Sequence, residues 1–177
     1  GAGLEINLAA CYVLPIEDSR EGIIREGLYN AISIQAFGGG TGFNFSKLRP
    51  KGAGISTTGG KSSGPVSFMR IFDHAVGSVI AQGGTRRGAN MGILRVDHPD
   101  ILDFITCKVD GEITNFNISV GVTEEFMRKV ENEETYFLEH PKSKKKTEDN
   151  ARDIFSKIVH NAWSNGDPGI VFLDRLQ

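Results

Sequence analysis

The sequence predicts an α/β protein in which parallel strands alternate with helices. Short apolar runs with strand character recur along the chain, and the longer segments between them carry apolar residues at the spacing of one helix face. Such strands pair in parallel because each helix returns the chain to the same edge of the sheet, and the loops at the carboxyl ends of the strands are expected to carry the chemistry. The 177 residues, 39% of them hydrophobic, are enough for the core of one domain or of a large piece of one.

The first half of the chain predicts two strands and two helices. A short strand at 11–15 ends at Pro15, and a helix then runs to about Ala36. The apolar face of this helix consists of Ile23, Ile24, Leu28, Ala31 and Ile32. Alternating apolar residues predict the next strand over 43–48, and Pro65 fits the first turn of a second helix. The core stripe of that helix consists of Phe68, Ile71, Phe72, Ala75, Val76, Val79 and Ile80.

The second half continues the alternation. We expect a strand at 91–96, and then a helix that is capped by Asp97 and has Pro99 in its first turn. Another strand follows at 116–122, and Thr123 caps the acidic start of the next helix, where glutamates suit the positive end of the helix dipole.

The last part of the chain predicts a loop, a helix and a strand. The charged segment Lys142–Asn150 is expected to be a solvated loop. The last helix is marked by Ile154, Phe155, Ile158, Val159, Ala162 and Trp163. Gly166 and Pro168 end it, and Ile170–Leu173 forms the final strand.

The segment Gly38–Gly92 has an unusual composition. It holds 14 of the 22 glycines, and its seven Lys and Arg against one Asp give it a net charge of +6 in a chain of net charge -2. Glycines let a backbone approach a ligand, and amides beside arginines hold phosphates. Within it, Arg49–Gly64 is too long for a plain connection. The pattern favours a site for nucleoside polyphosphates over the alternative, which is a set of surface turns with solvated cations.

Composition argues against several classes of partner. The chain as a whole is slightly acidic and its basic segment lacks interleaved aromatic residues, so we do not expect nucleic acid as a partner. The sequence contains neither a long apolar run nor a signal peptide, which predicts a cytoplasmic protein without membrane contact. The chain opens abruptly on Gly1–Gly3 and closes directly after a strand-like run, so we expect it to be a piece of a longer protein.

Several standard motifs fail on inspection. Gly60 and the residues after it resemble the end of a phosphate loop, but Ile55 stands where the first glycine of that motif is required. A dinucleotide fingerprint fails at Phe45, which occupies the position of its third glycine. Cys11 and Cys107 match neither zinc nor redox spacing. No metal site is expected from the four scattered histidines, which we expect at the surface or packing on helices: His74, His98, His140 and His160.

Four segments carry a family resemblance. Ala10–Ser19, Gly38–Pro50, Ser56–Met69 and Gly83–Met91 resemble, in the family's order, the large catalytic subunit of ribonucleotide reductase. The glycine-rich stretches are closest to the adenosylcobalamin-dependent class II enzymes. The resemblance implies a ten-stranded α/β barrel built from two half-barrels. Residues 1–177 would then form one partial catalytic barrel domain, roughly the first half of the barrel together with its specificity loops.

The resemblance implies reduction of ribonucleotides to deoxyribonucleotides by radical chemistry. Cys11 corresponds to the first of two cysteines that reduce the ribose by becoming a disulfide, and a thiol at a strand terminus suits that role. Ala10 and Gly40 correspond to places where the backbone lies against the substrate nucleotide. Cys107 matches no such role, and we expect it to pack in the core.

A second group of residues resembles contacts to an allosteric effector. The group consists of Asp18, Ser19, Arg20, Gln35, Lys47, Arg49, Lys51, Arg86 and Arg87. Asp18 resembles the carboxylate that receives the effector's ribose hydroxyl, although by itself it predicts a helix cap. Arg49 lies on the first specificity loop, as phosphate contacts do in the family, and Gln35 stands where many relatives have lysine. Gly83–Asn90 resembles the second specificity loop, whose glycines suit a loop that moves.

The resemblance also implies parts that these residues do not contain. The finger loop with its asparagine, radical cysteine and glutamate is absent, as are the second half-barrel and the cysteine that pairs with Cys11, so we expect the chain alone to be inactive. Adenosylcobalamin is expected on the full-length protein only. The implied partners are a ribonucleotide substrate, a deoxynucleoside triphosphate effector, a thioredoxin-like reductant and a second copy in a homodimer.

Two other functions stay open on the residues alone. A regulatory nucleotide-binding module without catalysis would bind deoxynucleoside triphosphates but would never pair with a cysteine-bearing second half. A nucleotide-dependent transferase would use the glycine loops for its donor and would depend on magnesium rather than on a thiol.

Overall fold

A computed structural model describes residues 10–80 and 89–176, with backbone only at 78–80, and a parallel sheet dominates it. The strands of this sheet are Cys11–Leu14 (β1), Gly40–Asn44 (β2), Asn90–Arg95 (β3), Phe116–Val122 (β4) and Gly169–Phe172 (β7). They stand in the order β1-β2-β3-β4-β7, and every neighbouring pair is parallel. Thr135–Glu139 (β5) and Lys146–Asn150 (β6) form a separate antiparallel hairpin.

Helices connect the strands. The first, α1, joins a π-helical stretch, Glu21–Tyr29, to an α-helical one, Asn30–Ala36. The second, α2, joins the α-helical Pro65–His74 to the π-helical Ala75–Ile80. The others are Ile101–Thr106 (α3), Glu124–Glu131 (α4) and Ala151–Asn165 (α5). Short 3₁₀ turns, Phe45–Lys47 and Leu173–Arg175, follow β2 and β7.

The core lies between one face of the sheet and the helices. Phe43 on β2 is 2% exposed and meets Phe72 of α2 edge to face, with ring centroids 4.9 Å apart. Because side chains alternate along a strand, Cys11 and Val13 of β1 lie on the opposite face, which we call the open face. Val13 is 88% exposed there. The sheet therefore has a packed face and an open one.

Most of the predicted elements are confirmed. The α/β class is confirmed, because parallel strands alternate with helices throughout the described sheet. The Thr123 hydroxyl caps α4 by accepting from the Phe126 amide at 3.2 Å. Pro65 lies in the first turn of α2, and Gly166 ends α5 in the left-handed conformation, with φ of 84°.

Two local predictions are wrong because a polar side chain makes a local contact that the sequence pattern did not indicate. Asp97 does not cap a helix: its carboxylate pairs with Arg95 at 2.7 Å, and α3 begins after Asp100. The strand predicted over 43–48 ends at Asn44, whose side chain accepts from the Ser46 amide at 3.0 Å and turns the chain.

The predicted apolar helix faces also need correction. Ile24 and Ile71 are 44% and 43% exposed, whereas Met69, which the predicted stripe omitted, is fully buried. The side chains of Val79 and Ile80 lie outside the described residues. No helix among the described residues is both long and apolar enough to cross a membrane.

The charged segment Lys142–Asn150 is not simply a solvated loop. Its second half is β6, which pairs with β5 along five residue pairs from Thr135–Asn150 to Glu139–Lys146. The turn before β6 carries Lys142, whose ammonium contacts Asp18 at the other end of the chain. Polar composition concealed the strand, because its partner β5 supplies the buried side chains of the hairpin, Tyr136 and Leu138.

Candidate functional site

The predicted substrate residues meet at the amino-terminal edge of the sheet. Cys11 begins β1 and is paired in register with Gly40, which begins β2. The Gly40 amide donates to the Ala10 carbonyl at 2.7 Å. A Cβ on Gly40 would lie 3.6 Å from the Cys11 sulfur and 3.5 Å from the Ala10 oxygen. Gly40 therefore lies beside both the Cys11 thiol and the Ala10 carbonyl. Cys11 is a free, exposed cysteine at this edge, and not at the carboxyl edge where we expected the chemistry.

A buried polar network lies directly behind this edge. Gln35 Nε2 donates to Thr41 Oγ1 at 2.5 Å and to Asn90 Oδ1 at 2.7 Å, and the Thr41 hydroxyl donates to Asn90 Oδ1 at 2.8 Å. Gln35 and Asn90 are each 2% exposed, and Gln35 Oε1 and Asn90 Nδ2 have no partner among the described residues. The network ties α1 to β2 and β3. It places Gln35 in the interior, where its predicted effector contact stays a prediction.

A second cluster forms at the carboxyl edge of the sheet around Asp18. Arg49 donates to the Asp18 carboxylate from Nε at 2.8 Å and from its backbone amide at 3.2 Å. Lys142 Nζ approaches the same carboxylate to 2.7 Å. The Asp18 side chain is 8% exposed, so two cations enclose a nearly buried carboxylate.

These cations set the ionisation of Asp18. Burial by itself raises the pKa of the Asp18 carboxyl, but hydrogen bonds from Lys142 and Arg49 outweigh burial and lower the pKa below its ordinary value of 3.8. Asp18 is therefore ionised at neutral pH and can only accept hydrogen bonds.

The loop 49–64, which we call the first loop, is fixed to the turn after β3. His98 is 2% exposed, and its Nε2 lies 2.8 Å from the Leu48 carbonyl. Burial lowers the pKa of His98, which favours a neutral ring whose Nε2 donates to Leu48 while Nδ1 accepts from the Asp100 amide at 3.0 Å. The Asp100 carboxylate in turn accepts from the Lys51 amide at 2.8 Å. The backbone is thereby anchored on both sides of Arg49, at Leu48 and at Lys51.

Two adjoining grooves open beside the Asp18 cluster. One has a volume of about 660 Å³, and its lining includes Arg49, Lys51, Gly52, Gly54, His140 and Lys142. The other has a volume of about 340 Å³ and contains Asp18, Ser19, Lys47 and Lys142. The first is of the size of ordinary ligand clefts, about 300–1,000 Å³, and is cationic.

The other predicted effector residues are placed as follows. The Ser19 hydroxyl accepts from the Gly22 amide at 3.0 Å, so Ser19 rather than Asp18 caps the start of α1. Arg20 is exposed at the start of α1, and Lys47 pairs with Glu17. Arg86 and Arg87 lie outside the described residues.

Sequence reasoning missed several polar residues around these clusters. Lys142 was assigned to a solvated loop, and His98 was expected on the surface or packing on a helix. The aromatic residues Tyr136 and Phe137, followed by Leu138, have strand propensity, and this run could have located the first strand of the hairpin. Nothing in the sequence could show that Lys142 lies against Asp18, which is 124 residues earlier.

Comparison with known proteins identifies a family to which this sequence is similar. The family model described as the ribonucleotide reductase barrel domain matches residues 9–176. The vitamin B12-dependent ribonucleoside-diphosphate reductase of Thermoplasma acidophilum is 51% identical over 173 residues, which are 96% of this chain and 22% of that protein. The enzyme of that name in Mycobacterium tuberculosis is 48% identical over 172 residues, which are 96% of this chain and 25% of the relative.

A more distant relative extends the same likeness. The vitamin B12-dependent ribonucleotide reductase of Rhodopirellula baltica is 34% identical over 191 residues, covering 93% of this chain and 18% of that protein. The chain thus spans about a quarter or less of the curated relatives it matches. The matching barrel model and the parallel sheet agree with the predicted partial α/β barrel. The chain belongs to the ribonucleotide reductase family.

Proposed function

We propose that this chain is the part of an adenosylcobalamin-dependent ribonucleotide reductase that presents one redox cysteine to the substrate and binds the allosteric effector. The observation that carries the proposal is the position of Cys11, an exposed thiol beside Gly40 and the Ala10 carbonyl on the open face of the sheet. A buried thiol would not serve, since a reducing cysteine must reach both the ribose and an external reductant.

The proposed chemistry balances as a two-electron reduction. Cys11 and a second cysteine outside this chain together supply two electrons and two protons to the ribonucleotide. The 2′-hydroxyl leaves as water, a hydrogen takes its place, and the two thiols become a disulfide. A thioredoxin-like dithiol then reduces that disulfide by thiol exchange and is itself oxidised.

The cofactor is proposed from the relatives, which are named as vitamin B12-dependent enzymes. Adenosylcobalamin would supply the radical that starts the reaction. The corrin is large, and neither of the two grooves at Asp18 offers an apolar cradle for it, so we assign no residue of this chain to the cofactor. The chain's own residues would present the backbone of Ala10 and Gly40 to the substrate nucleotide and would position the Cys11 thiol.

Regulation is proposed for the other edge of the sheet. A deoxynucleoside triphosphate would place its ribose hydroxyl on Asp18 and its phosphates on Arg49, Lys47 and Lys51, since cations and backbone amides hold phosphate. Ser19, Arg20, Gln35, Arg86 and Arg87 stay predicted contacts of that effector. A homodimer and a cytoplasmic location also belong to the proposal.

Replacing Cys11 in the intact protein tests the proposed redox role. In the Cys11→Ser variant we expect turnover with a dithiol reductant to be abolished, because serine cannot form the disulfide, while binding of deoxynucleoside triphosphates stays unchanged. Ribonucleotide reduction with adenosylcobalamin and dithiothreitol measures the first, and isothermal titration measures the second. Cys107→Ala is the matched control and should keep its turnover. Normal turnover by Cys11→Ser would refute the assignment.

A further inference from the structure

Lys142 reaches the proposed effector site from a part of the chain that the family resemblance did not associate with it. It lies in the turn between β5 and β6. This turn brings Lys142 to the carboxyl edge of the parallel sheet, beside Asp18. Its Nζ is 2.7 Å from Asp18 Oδ2 and 3.5 Å from the Asp18 carbonyl. The Lys142 side chain is 54% exposed, whereas the carboxylate it contacts is 8% exposed.

Lys142 is also the residue that the two grooves share. It lines the larger cationic groove with Arg49 and Lys51 and the smaller one with Asp18 and Ser19. A ligand that extends from one groove into the other must pass its ammonium. A nucleoside triphosphate has the matching shape, with a hydroxyl-bearing sugar at one end and a row of phosphates at the other.

At Asp18 the two cations would compete with a ribose hydroxyl for the same carboxylate. The phosphates of such a ligand would remove this competition. Both Arg49 and Lys142 already occupy the carboxylate, so Asp18 has few free lone pairs for a ribose hydroxyl. Phosphates accept charge-assisted hydrogen bonds from both cations. When they draw the cations away, the ionised carboxylate becomes free to accept the hydroxyl.

We propose that Lys142 is a phosphate ligand of the effector, and that it moves from the Asp18 carboxylate onto the phosphates when a deoxynucleoside triphosphate binds. This inference rests on the proposed function, because it needs the effector at Asp18 and Arg49. It adds the turn of the β5–β6 hairpin to that site, since this turn lines the larger groove together with the first loop. Lys142 thereby links occupation of the cationic groove to release of the carboxylate.

His140 is a positioning residue for Lys142. Its Nδ1 accepts from the Lys142 amide at 3.1 Å and from the Ser143 amide at 3.2 Å, so the ring holds the turn from inside. The turn is also closed by the His140 amide, which donates to the Lys145 carbonyl at 2.9 Å. A lysine on such a turn is presented toward the grooves instead of moving freely in solvent.

Binding of dTTP, dGTP and dATP to the intact protein, compared with binding of the phosphate-free nucleosides, tests the proposal. We expect Lys142→Met to weaken binding of the tightest triphosphate about tenfold, the order of one charge-assisted hydrogen bond. Binding of the corresponding nucleoside should not weaken. Lys142→Arg should stay within about threefold of the wild type, since it keeps the charge. Isothermal titration at fixed ionic strength measures all of these.

Lys145→Met is the matched control, because it removes the same charge from the same exposed turn at a residue that lines neither groove. It should bind as the wild type does. Triphosphate binding that is unchanged in Lys142→Met, or weakened equally in Lys145→Met, would overturn the role of Lys142. Arg49→Met separates the two hypotheses: if it weakens triphosphate binding and Lys142→Met does not, only this inference fails. If neither variant weakens it, the effector site at Asp18 fails as well.

Discussion

The two cysteines show how one residue type acquires opposite properties from its surroundings. Cys11 is exposed at the start of β1, whereas Cys107 is buried after α3. Burial raises the pKa of the Cys107 thiol to about 12, so its nucleophilic thiolate is scarce at neutral pH. Only Cys11 combines access with the position that the proposed reaction requires.

This contrast predicts selective alkylation. In the reduced native protein at pH 8 we expect iodoacetamide to modify Cys11 and to leave Cys107 largely unmodified, because Cys107 is both inaccessible and protonated. Peptide mass spectrometry over a time course gives the two rates. Both residues should react in denaturant, which controls for the detection of each peptide. Equal native rates would contradict the assigned environments.

For single residues, the role of Cys11 was easier to predict from the sequence than the residues that surround the two proposed sites. The segment around Cys11 carried a specific resemblance, and Cys107 was correctly expected to be a packing residue. The interior position of Gln35 was not foreseeable, because its partners Thr41 and Asn90 are fixed by the register of three elements. Lys142 was overlooked for the same reason.

Among the elements, the first loop depends on a latch made by His98 and Asp100. The pair contacts the Leu48 carbonyl and the Lys51 amide, which flank Arg49. A long glycine-containing loop would otherwise sample many conformations, and ordering it on binding would weaken the affinity. The latch therefore preorganises the arginine.

Removal of the latch should affect both stability and effector binding. We expect His98→Ala to lower the free energy of unfolding by about 1–3 kcal/mol, because the Leu48 carbonyl and the Asp100 amide lose a buried partner. Triphosphate binding should weaken as well. Urea unfolding and isothermal titration measure the two effects. His160→Ala, at an exposed position on α5, is the control. An unchanged affinity in His98→Ala would show that the latch does not preorganise the loop.

The pH dependence of the latch follows from the same burial. Burial lowers the pKa of His98 below 6.5, against the opposing effects of the Leu48 hydrogen bond and of Asp100 and Asp97. The unfolded chain therefore takes up this proton at higher pH than the folded protein. The stabilising contribution is complete above about pH 6.5 and is lost as the pH falls from there through the folded-state pKa.

A stability difference measures this effect directly. The advantage of the wild type over His98→Gln, which keeps one donor for Leu48 but does not titrate, should shrink as the pH falls below 6.5. Urea unfolding at a series of pH values gives the difference. An advantage that grows toward acid would require the opposite shift of the His98 pKa.

Strands and helices with strong apolar periodicity were predictable, and polar elements were not. The strand at 116–122 was located to the residue because it is apolar along most of its length. The segment that forms β6 contains no apolar residue, so only its pairing with β5 makes it a strand. Asp97 is a residue type that often caps a helix, but in the structure its carboxylate pairs with Arg95 instead.

Over the whole described molecule, the parallel sheet separates the edges that carry the two proposed sites. Cys11 and Gly40 begin their strands, whereas Asp18 and the first loop follow strand ends. The three steps between the four residues of β1, at about 3.3 Å each, place the edges roughly 10 Å apart. The proposed effector at one edge can act on the proposed substrate at the other only through the structure between them. The rigidity of the sheet and of the helices packed on it therefore matters for regulation.

That rigidity depends on an aromatic cluster that joins α2 to the sheet. The ring of Phe72 lies edge to face with Phe43, at 4.9 Å between centroids, and with Phe45, at 6.1 Å. Phe116 of β4 extends the cluster, with its ring centroid 6.2 Å from that of Phe45. All four rings are 2% exposed or less, so none of them can be shortened without leaving a cavity.

Truncation of the central ring should therefore destabilise the protein strongly. We expect Phe72→Ala to lower the free energy of unfolding by about 3–5 kcal/mol, from lost burial and the cavity together. His74→Ala, two residues along the same helix and exposed, should change it by no more than about 0.5 kcal/mol. Hydrogen exchange of the β2 and β3 amides in the intact protein reports the loss locally, so that unfolding elsewhere does not obscure it. If those amides stay as protected in Phe72→Ala as in the wild type, the cluster does not hold the sheet and α2 together, and the path between the two edges must run through other contacts.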